Sequence, residues 1–336
     1  MCNTDDRWER WERELGSPKF VCAPMVDQSD FAFRELVRSR GVDLCYSPML
    51  LAEQMESAAY RDRYLPKDRC VVQLGGRKEA VLRAARFISQ QQQPIDLNLG
   101  CPQRCARRKG FGAYLSDDEA IDIVKRLKCS AKIRKRSDTV EFAKRLAAAG
   151  ASFIAVHGRT VDQKARGPAD WDVVREVVLA LPEVPIILNG NVRSREDAIA
   201  GLRYTGAAAV MSAEPLLAMP SLFRGPELAR DAARAYLTLA AAHDTPLPWV
   251  REHISAILHE DVVDFRDVDG ADFFCYPPVR RDLLSTEDRE KAEKRRAERH
   301  KFKAMIAGLR IPVPRHGRSG GCPRCANPSK KTCPKR

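Results

Sequence analysis

The nine residues from Cys22 to Asp30, CAPMVDQSD, follow the first strand-like segment of the chain and contain no glycine. A doubly wound nucleotide-binding sheet places glycines in its first strand-to-helix turn, where the backbone approaches a pyrophosphate. The turn therefore argues for the other arrangement of alternating strands and helices, a (β/α)8 TIM barrel, whose active site gathers at the carboxyl ends of the strands. With KFVCAPM (19–25) as the first strand, seven more strand-like segments follow. They are VDLCYSP (42–48), CVVQLGG (70–76), PIDLNLG (94–100), SAKIRK (130–135), SFIAVHGRT (152–160), PIILNGN (185–191) and AAAVMSAE (207–214). Between most of them, apolar residues recur at three- and four-residue spacing, as in FAFRELVRSR and WDVVREVVLAL, which predicts helices. Ser116 and Ser194, each followed by acidic residues, mark two helix starts.

The 336 residues are 44% hydrophobic, enough for a sizeable core. No apolar run approaches the ~18 residues of a membrane helix. The opening MCNTDDRWERWEREL is too charged for a secretory leader. Trp8, Trp11 and Leu15 fall on one helical stripe, which fits an amphipathic capping helix. The 11 cysteines are odd in number and scattered, unlike a disulfide framework. They point to a reducing compartment, the cytoplasm, with the nucleus as an alternative. A formal charge of +13 favours a polyanionic partner such as nucleic acid. Four regions are expected: a charged N-terminal segment (1–18), the barrel (19–222), a helical domain (223–311) and a basic tail (312–336). In the tail, Cys322, Cys325 and Cys333, with His316 nearby, form a candidate but incomplete zinc set.

The residues at the strand ends form an unusual set for a purely structural purpose. AKIRK places Lys132 and Arg134 on one strand face, and two cations facing a barrel interior need anions to meet. His157 ends the sixth strand. It lacks a surrounding cluster of zinc-ligand spacing, so a hydrogen bond to a cofactor suits it better. Asn189-Gly190-Asn191 and Ala213-Glu214 follow the last two strands, where barrels commonly bind phosphate. Cys101 follows the fourth strand between Gly100 and Pro102, which should turn the backbone sharply and hold the thiol at the rim. A thiol near its ordinary pKa of ~8.5 is protonated at neutral pH and can act as a proton donor. Cys105 has no argument beyond proximity. The flanking QRCARRK either holds a polyanionic substrate or is an exposed basic loop.

DLNLGCPQ, with FGAYL close behind it, resembles the signature of the tRNA-dihydrouridine synthases. CAPMVDQSD, VQLGG, AKIRK, AVHGRT, LNGNV and TGAAAVMSAEPL stand in that family's order from Lys19 to Phe223. GCPQ and VMSAE look most like the branch acting on D-loop uridines 16 and 17. The resemblance implies an FMN-dependent, NADPH-using reductase with a helical RNA-binding domain, working on tRNA as a monomer. FMNH2 would give hydride to C6 of uracil, and Cys101, as catalytic acid, would give the proton to C5. Ala23, Pro24, Met25, Gln73, Lys132 and His157 resemble the residues around the flavin ring and ribityl chain. Asn189, Gly190, Asn191, Ala213 and Glu214 resemble its phosphate cradle. Asn98, Arg134 and Arg159 would meet the substrate. The link between VKRLK and SAKIRK is shorter than the family pattern and bears on the register of Lys132. The rival readings are an FMN barrel that reduces a free pyrimidine or small enone, and a catalytically silent RNA-binding barrel.

Overall fold

The computed structural model describes residues 7–258. The expected last helix, the basic tail and the candidate zinc cysteines Cys322, Cys325 and Cys333 lie outside the described residues.

The eight expected strands are all present. They are β1 (Phe20–Cys22), β2 (Leu44–Cys45), β4 (Val72–Gly75), β5 (Ile95–Leu99), β6 (Ser130–Arg134), β7 (Ile154–His157), β8 (Ile186–Asn189) and β9 (Ala209–Ser212). A ninth short strand, β3 (Leu50–Leu51), adds to the edge of β4. All pairings are parallel, in the order β2-β1-β9-β8-β7-β6-β5-β4-β3. The ring closes between Cys45–Ser47 and Val71. The Val71 N–H donates to the Cys45 carbonyl (3.0 Å), and the Ser47 N–H donates to that of Val71 (2.9 Å). Strands β4, β8 and β9 are buried along their whole length, as expected of strands covered on both faces.

Helices α1 (Arg7–Leu15), α2 (Phe31–Arg38), α3 (Ala58–Tyr64), α4 (Lys78–Ser89), α5 (Arg104–Lys109) and α6 (Asp117–Leu127) precede β6 in the chain. After it come α7 (Thr139–Ala149), α8 (Trp171–Ala180), α9 (Arg195–Thr205), α10 (Glu214–Ala218), α11 (Ala229–Ala242) and α12 (Leu247–Ile257). Ser116 and Ser194 cap α6 and α9 by accepting from the N–H groups of Glu119 and Asp197. The short link from α6 to β6 is made by Lys128 in the left-handed region (φ 49°), its ammonium on the Ala149 carbonyl (3.1 Å). The register survives the short link, with Lys132 beside Asn98 and Ala155.

α1 plugs the amino-terminal end of the barrel. Trp11 is 3% exposed and meets the Phe153 ring edge-on at 5.2 Å, among Val21, Leu44, Ala208 and Ala209. Trp8 instead stays exposed and donates to the Pro182 carbonyl (2.9 Å).

In the glycine-free first turn, side chains do the shaping. The Ser29 hydroxyl accepts from the Met25 N–H (3.1 Å) and donates to the Met25 carbonyl (2.9 Å). Asp27 takes a left-handed conformation (φ 59°). Asp30 caps α2 through the Phe33 N–H (3.2 Å) and accepts from the Tyr236 hydroxyl of α11 (3.3 Å). His253 of α12 lies 2.7 Å from the same carboxylate and stacks on Phe33. The turn thus anchors the two helices that follow the barrel.

Candidate functional site

Strand register gathers the site. Gln73 lies beside Asp96, Asn98 beside Lys132, Arg134 beside His157, and His157 beside Asn189. Partners on parallel strands point to the same side, so these residues share the barrel interior near its carboxyl end.

Cys101 is held from two directions. The Asn98 Oδ1 accepts from the N–H groups of Gly100 (3.0 Å) and Cys101 (2.9 Å). From below, Gly112 sits at φ +64°, where an added Cβ would stand 2.8 Å from the Cys101 Cβ. The Ala113 N–H donates to the Cys101 carbonyl (3.2 Å), and the Tyr114 hydroxyl to that of Pro102 (3.3 Å). The FGAYL segment is therefore the brace under the thiol. Gly100 does not take a positive φ. A Cβ there would meet the Arg134 Cγ at 3.2 Å, a tight approach that glycine relieves. Burial raises the Cys101 pKa, with Cys105 adding to it, against the Gln103 N–H and the charges of Arg134 and Lys132. The thiol stays protonated at neutral pH. Cys105 is exposed on α5, with its thiol 3.6 Å from the Gln103 Oε1.

Lys132 has no hydrogen bond or ion pair among the described residues. Burial, then the Arg134 charge, pushes its pKa down to about 7, against the pull of Asp96, Glu214 and Cys101. His157 is pushed well below its ordinary value by burial and by Lys132, Arg134 and Arg159. The Arg159 N–H donates to its Nδ1 (3.1 Å), so the neutral ring carries its proton on Nε2.

Arg134 donates to the carbonyls of Gly100 (2.9 Å), Thr160 (3.1 Å) and Lys164 (2.8 Å). Arg159 donates to the Gly167 carbonyl (2.8 Å) and the Asn191 Oδ1 (2.5 Å). Both clamp loops at the mouth and offer a ligand their charge more than a free fork. Asn189 is buried and donates to the Met211 carbonyl (2.9 Å), tying β8 to β9. Gly190 and Asn191 follow with φ +104° and 59°, a turn pinned by Trp171 Nε1 on the Gly190 carbonyl (3.0 Å). The N–H groups of Asn191, Val192, Ala213 and Glu214 find no partner among the described residues. Ala23 and Met25 are buried at the end of β1, with Pro24 half-buried between them.

Two buried residues that the motifs did not single out join the set. The Asp96 carboxylate accepts from Gln73 Nε2 (2.8 Å) and from the Ser130 hydroxyl (2.7 Å). The signal was present in the alternation of β5, which puts Asp96 on the same face as Asn98.

Around the mouth, α5 exposes Arg104, Arg107, Arg108 and Lys109, none with an ion-pair partner among the described residues. Arg126 and Arg136, by contrast, are paired, with Asp122 (3.0 Å) and Asp117 (2.8 Å). Among the described residues no group of three or more His, Cys, Asp or Glu is arranged to hold a metal, and no helix is long and apolar enough to cross a membrane.

The chain is thus a parallel (β/α)8 barrel whose mouth carries a protonated thiol, an unpaired lysine and a neutral imidazole, a set with the chemistry to meet an anion and to give up a proton. The family model described as dihydrouridine synthase matches residues 21–262, and the chain belongs to that family. A Rattus norvegicus protein named tRNA-dihydrouridine(16/17) synthase-like is 37% identical over 276 residues, covering 75% of this chain. The tRNA-dihydrouridine(16/17) synthase of Schizosaccharomyces pombe is 37% identical over 235 residues, covering 63% of this chain and 59% of its own length. A Homo sapiens tRNA-dihydrouridine(20a/20b) synthase-like protein is 37% identical over 227 residues, covering 62% and 71%. The chain spans 62% of the length of the rat protein.

Proposed function

We propose that the chain reduces the C5–C6 double bond of uridine in tRNA to 5,6-dihydrouridine, with FMN as cofactor and NADPH as reductant. The observation that carries this reading is the protonated Cys101 thiol, fixed between Asn98 and Gly112 at the barrel mouth.

The donor set fits a flavin. Lys132 offers an unpaired ammonium and His157 an Nε2–H, and four backbone N–H groups after β8 and β9 await acceptors. Ala23, Pro24, Met25, Gln73, Lys132 and His157 would hold the ring and ribityl chain. Asn189, Gly190, Asn191, Ala213 and Glu214 would hold the phosphate. When bound, the flavin supplies the two-electron reduction.

The chain's own residues do the rest. Asn98 and the charges of Arg134 and Arg159 orient a uracil extruded from its stack into the mouth. Cys101 donates its proton to C5, which its raised pKa favours over standing as thiolate. The α5 cations meet RNA phosphates beside the entering base. The D loop, at positions 16 and 17, is the favoured target. The 16/17 relative from rat matches more of the chain than the human 20a/20b relative. We place the protein in the cytoplasm as a monomer, with the nucleus as alternative.

Mass-spectrometric mapping of tRNA from cells lacking the protein tests this. Loss of dihydrouridine at positions 16 and 17 is expected. Unchanged tRNA, with purified enzyme active on free uridine, would replace the reading with that of a small-molecule reductase. A purified protein without flavin absorbance would favour a silent RNA-binding barrel.

A further inference from the structure

Asp96 lies wholly buried at the second position of β5, and no step of the proposed chemistry uses it. Burial raises its pKa to about 6, opposed by the Gln73 amide, the Ser130 hydroxyl and the Lys132 charge, so it is a carboxylate at neutral pH. A carboxylate only accepts hydrogen bonds. Facing it, Gln73 must present Nε2–H (2.8 Å), which turns its Oε1 the other way. That oxygen accepts from Asn98 Nδ2 (2.8 Å). With its amide nitrogen committed, Asn98 must turn Oδ1 to the N–H groups of Gly100 and Cys101. Reversing either amide would set two acceptors, or two donors, face to face. In a buried network such a mismatch is expensive, so the buried charge at one end and the backbone N–H donors of Gly100 and Cys101 at the other allow one sense for every link.

We propose that Asp96 is the positioning residue of this site: through Gln73 and Asn98 it sets the hydrogen-bond direction that holds the Cys101 turn at the barrel mouth. Its catalytic meaning rests on reading Cys101 as the acid, but its effect on the turn does not. Asp96 therefore acts through two amides, without touching the substrate.

The test is the rate at which iodoacetamide labels Cys101 in the full-length protein as purified. Exposed Cys105 serves as the reference, since tryptic cleavage after Arg104 separates the two thiols. Buried Cys129 reports whether the barrel itself has opened. Asp96→Leu keeps the branching at Cγ, with more bulk, but offers Gln73 no acceptor. It should raise Cys101 labelling about threefold or more and lower kcat on tRNA, with Cys129 still protected. Asp96→Asn can still accept from Gln73 while its amide donates to Ser130, and should label within about twofold of wild type. If Asp96→Leu does not fold, Gln73→Met breaks the same chain one link on and decides the matter by the same labelling. Wild-type labelling of Cys101 in the folded variant that lacks the link overturns the proposal. So does Asp96→Asn labelling as fast as Asp96→Leu, because an acceptor facing Gln73 would then not be what holds the turn. The labelling needs no turnover, so it stands or falls separately from the reductase reading.

Discussion

Phe153, Ala155, Ile187, Ala209, Met211 and Val21 line one half of the barrel interior, from β7 round to β1. Gln73, Asp96, Asn98, Ser130 and Lys132 line the other half, on β4 to β6. Both halves use the same alternation of a parallel strand, in which every second residue faces inward. The apolar half is held by area removed from water and is closed at its foot by Trp11. The polar half is held by directed hydrogen bonds and leaves Lys132 unmatched. A substitution in the first half should therefore act on stability, and one in the second on chemistry.

The sharpest test of the polar half is Cys101→Ala. The turn is held through its backbone groups, so the fold and flavin content should stay as in wild type. Dihydrouridine formation should fall about 10²–10⁴-fold, the range of a lost general acid. Single-turnover assays on tRNA would show it, and full turnover would sink the acid assignment. On the apolar side, Trp11→Ala should lower stability by about 3–5 kcal/mol, the usual range for emptying a buried tryptophan site. Denaturant melts would show this, while kcat per folded molecule stays near wild type. If kcat fell as far as stability, the two halves would not be separable in the way their packing suggests.

Gly112→Ala lies between these extremes, because its Cβ would press on the Cys101 Cβ from a left-handed backbone position. Conformation alone should cost about 1–2 kcal/mol. Displacement of the thiol should lower turnover by roughly tenfold to a hundredfold. A drop in stability with unchanged turnover would show that the brace does not set the thiol's place. A smaller effect is expected at the rim. Replacing Arg104, Arg107, Arg108 and Lys109 of α5 with Gln should flatten the plot of log affinity for tRNA against log salt by roughly 0.7–0.9 for each phosphate no longer neutralised. Arg126→Gln, already neutralised by Asp122, should leave the slope alone. Equal slopes in both variants would move the RNA footprint away from α5.

Much of this was legible in the sequence for identifiable reasons. The eight strands announced themselves as short β-branched runs, and the two serine caps by the acidic residues after them. Cys101 stood out by its place between Gly100 and Pro102, and the glycine also makes room for Arg134. Asp96 was hidden inside a strand that already read well. Its importance depends on Gln73 and Ser130, which reach it from other strands through register that local pattern does not reveal. The clamping hydrogen bonds of Arg134 and Arg159 were hidden likewise, since their carbonyl partners belong to loops whose path only the folded chain sets.

Lys132 carries the pH-dependent prediction and connects the two halves thermodynamically. Its pKa is about 7 in the folded protein against an ordinary 10.5, through burial first and Arg134 second. Between those values the unfolded chain keeps the proton and the folded chain releases it. Stability of the flavin-free protein should therefore rise with pH from about 7 towards 10.5. Below about 7 both states are protonated, and the folded one bears the full penalty of an unmatched ammonium. Lys132→Met removes that contribution, so its melts should be flatter than wild type across this window and more stable at its acid end. Groups remote from Lys132 titrate alike in both proteins and cancel in the difference, while Asp96, Cys101 and His157, which feel its charge, shift with it. A bound anionic ligand should restore the ammonium and flatten the wild-type curve as well. Parallel curves for the two flavin-free proteins would mean that Lys132 already has its counter-charge. The polar half would then be as self-sufficient as the apolar one.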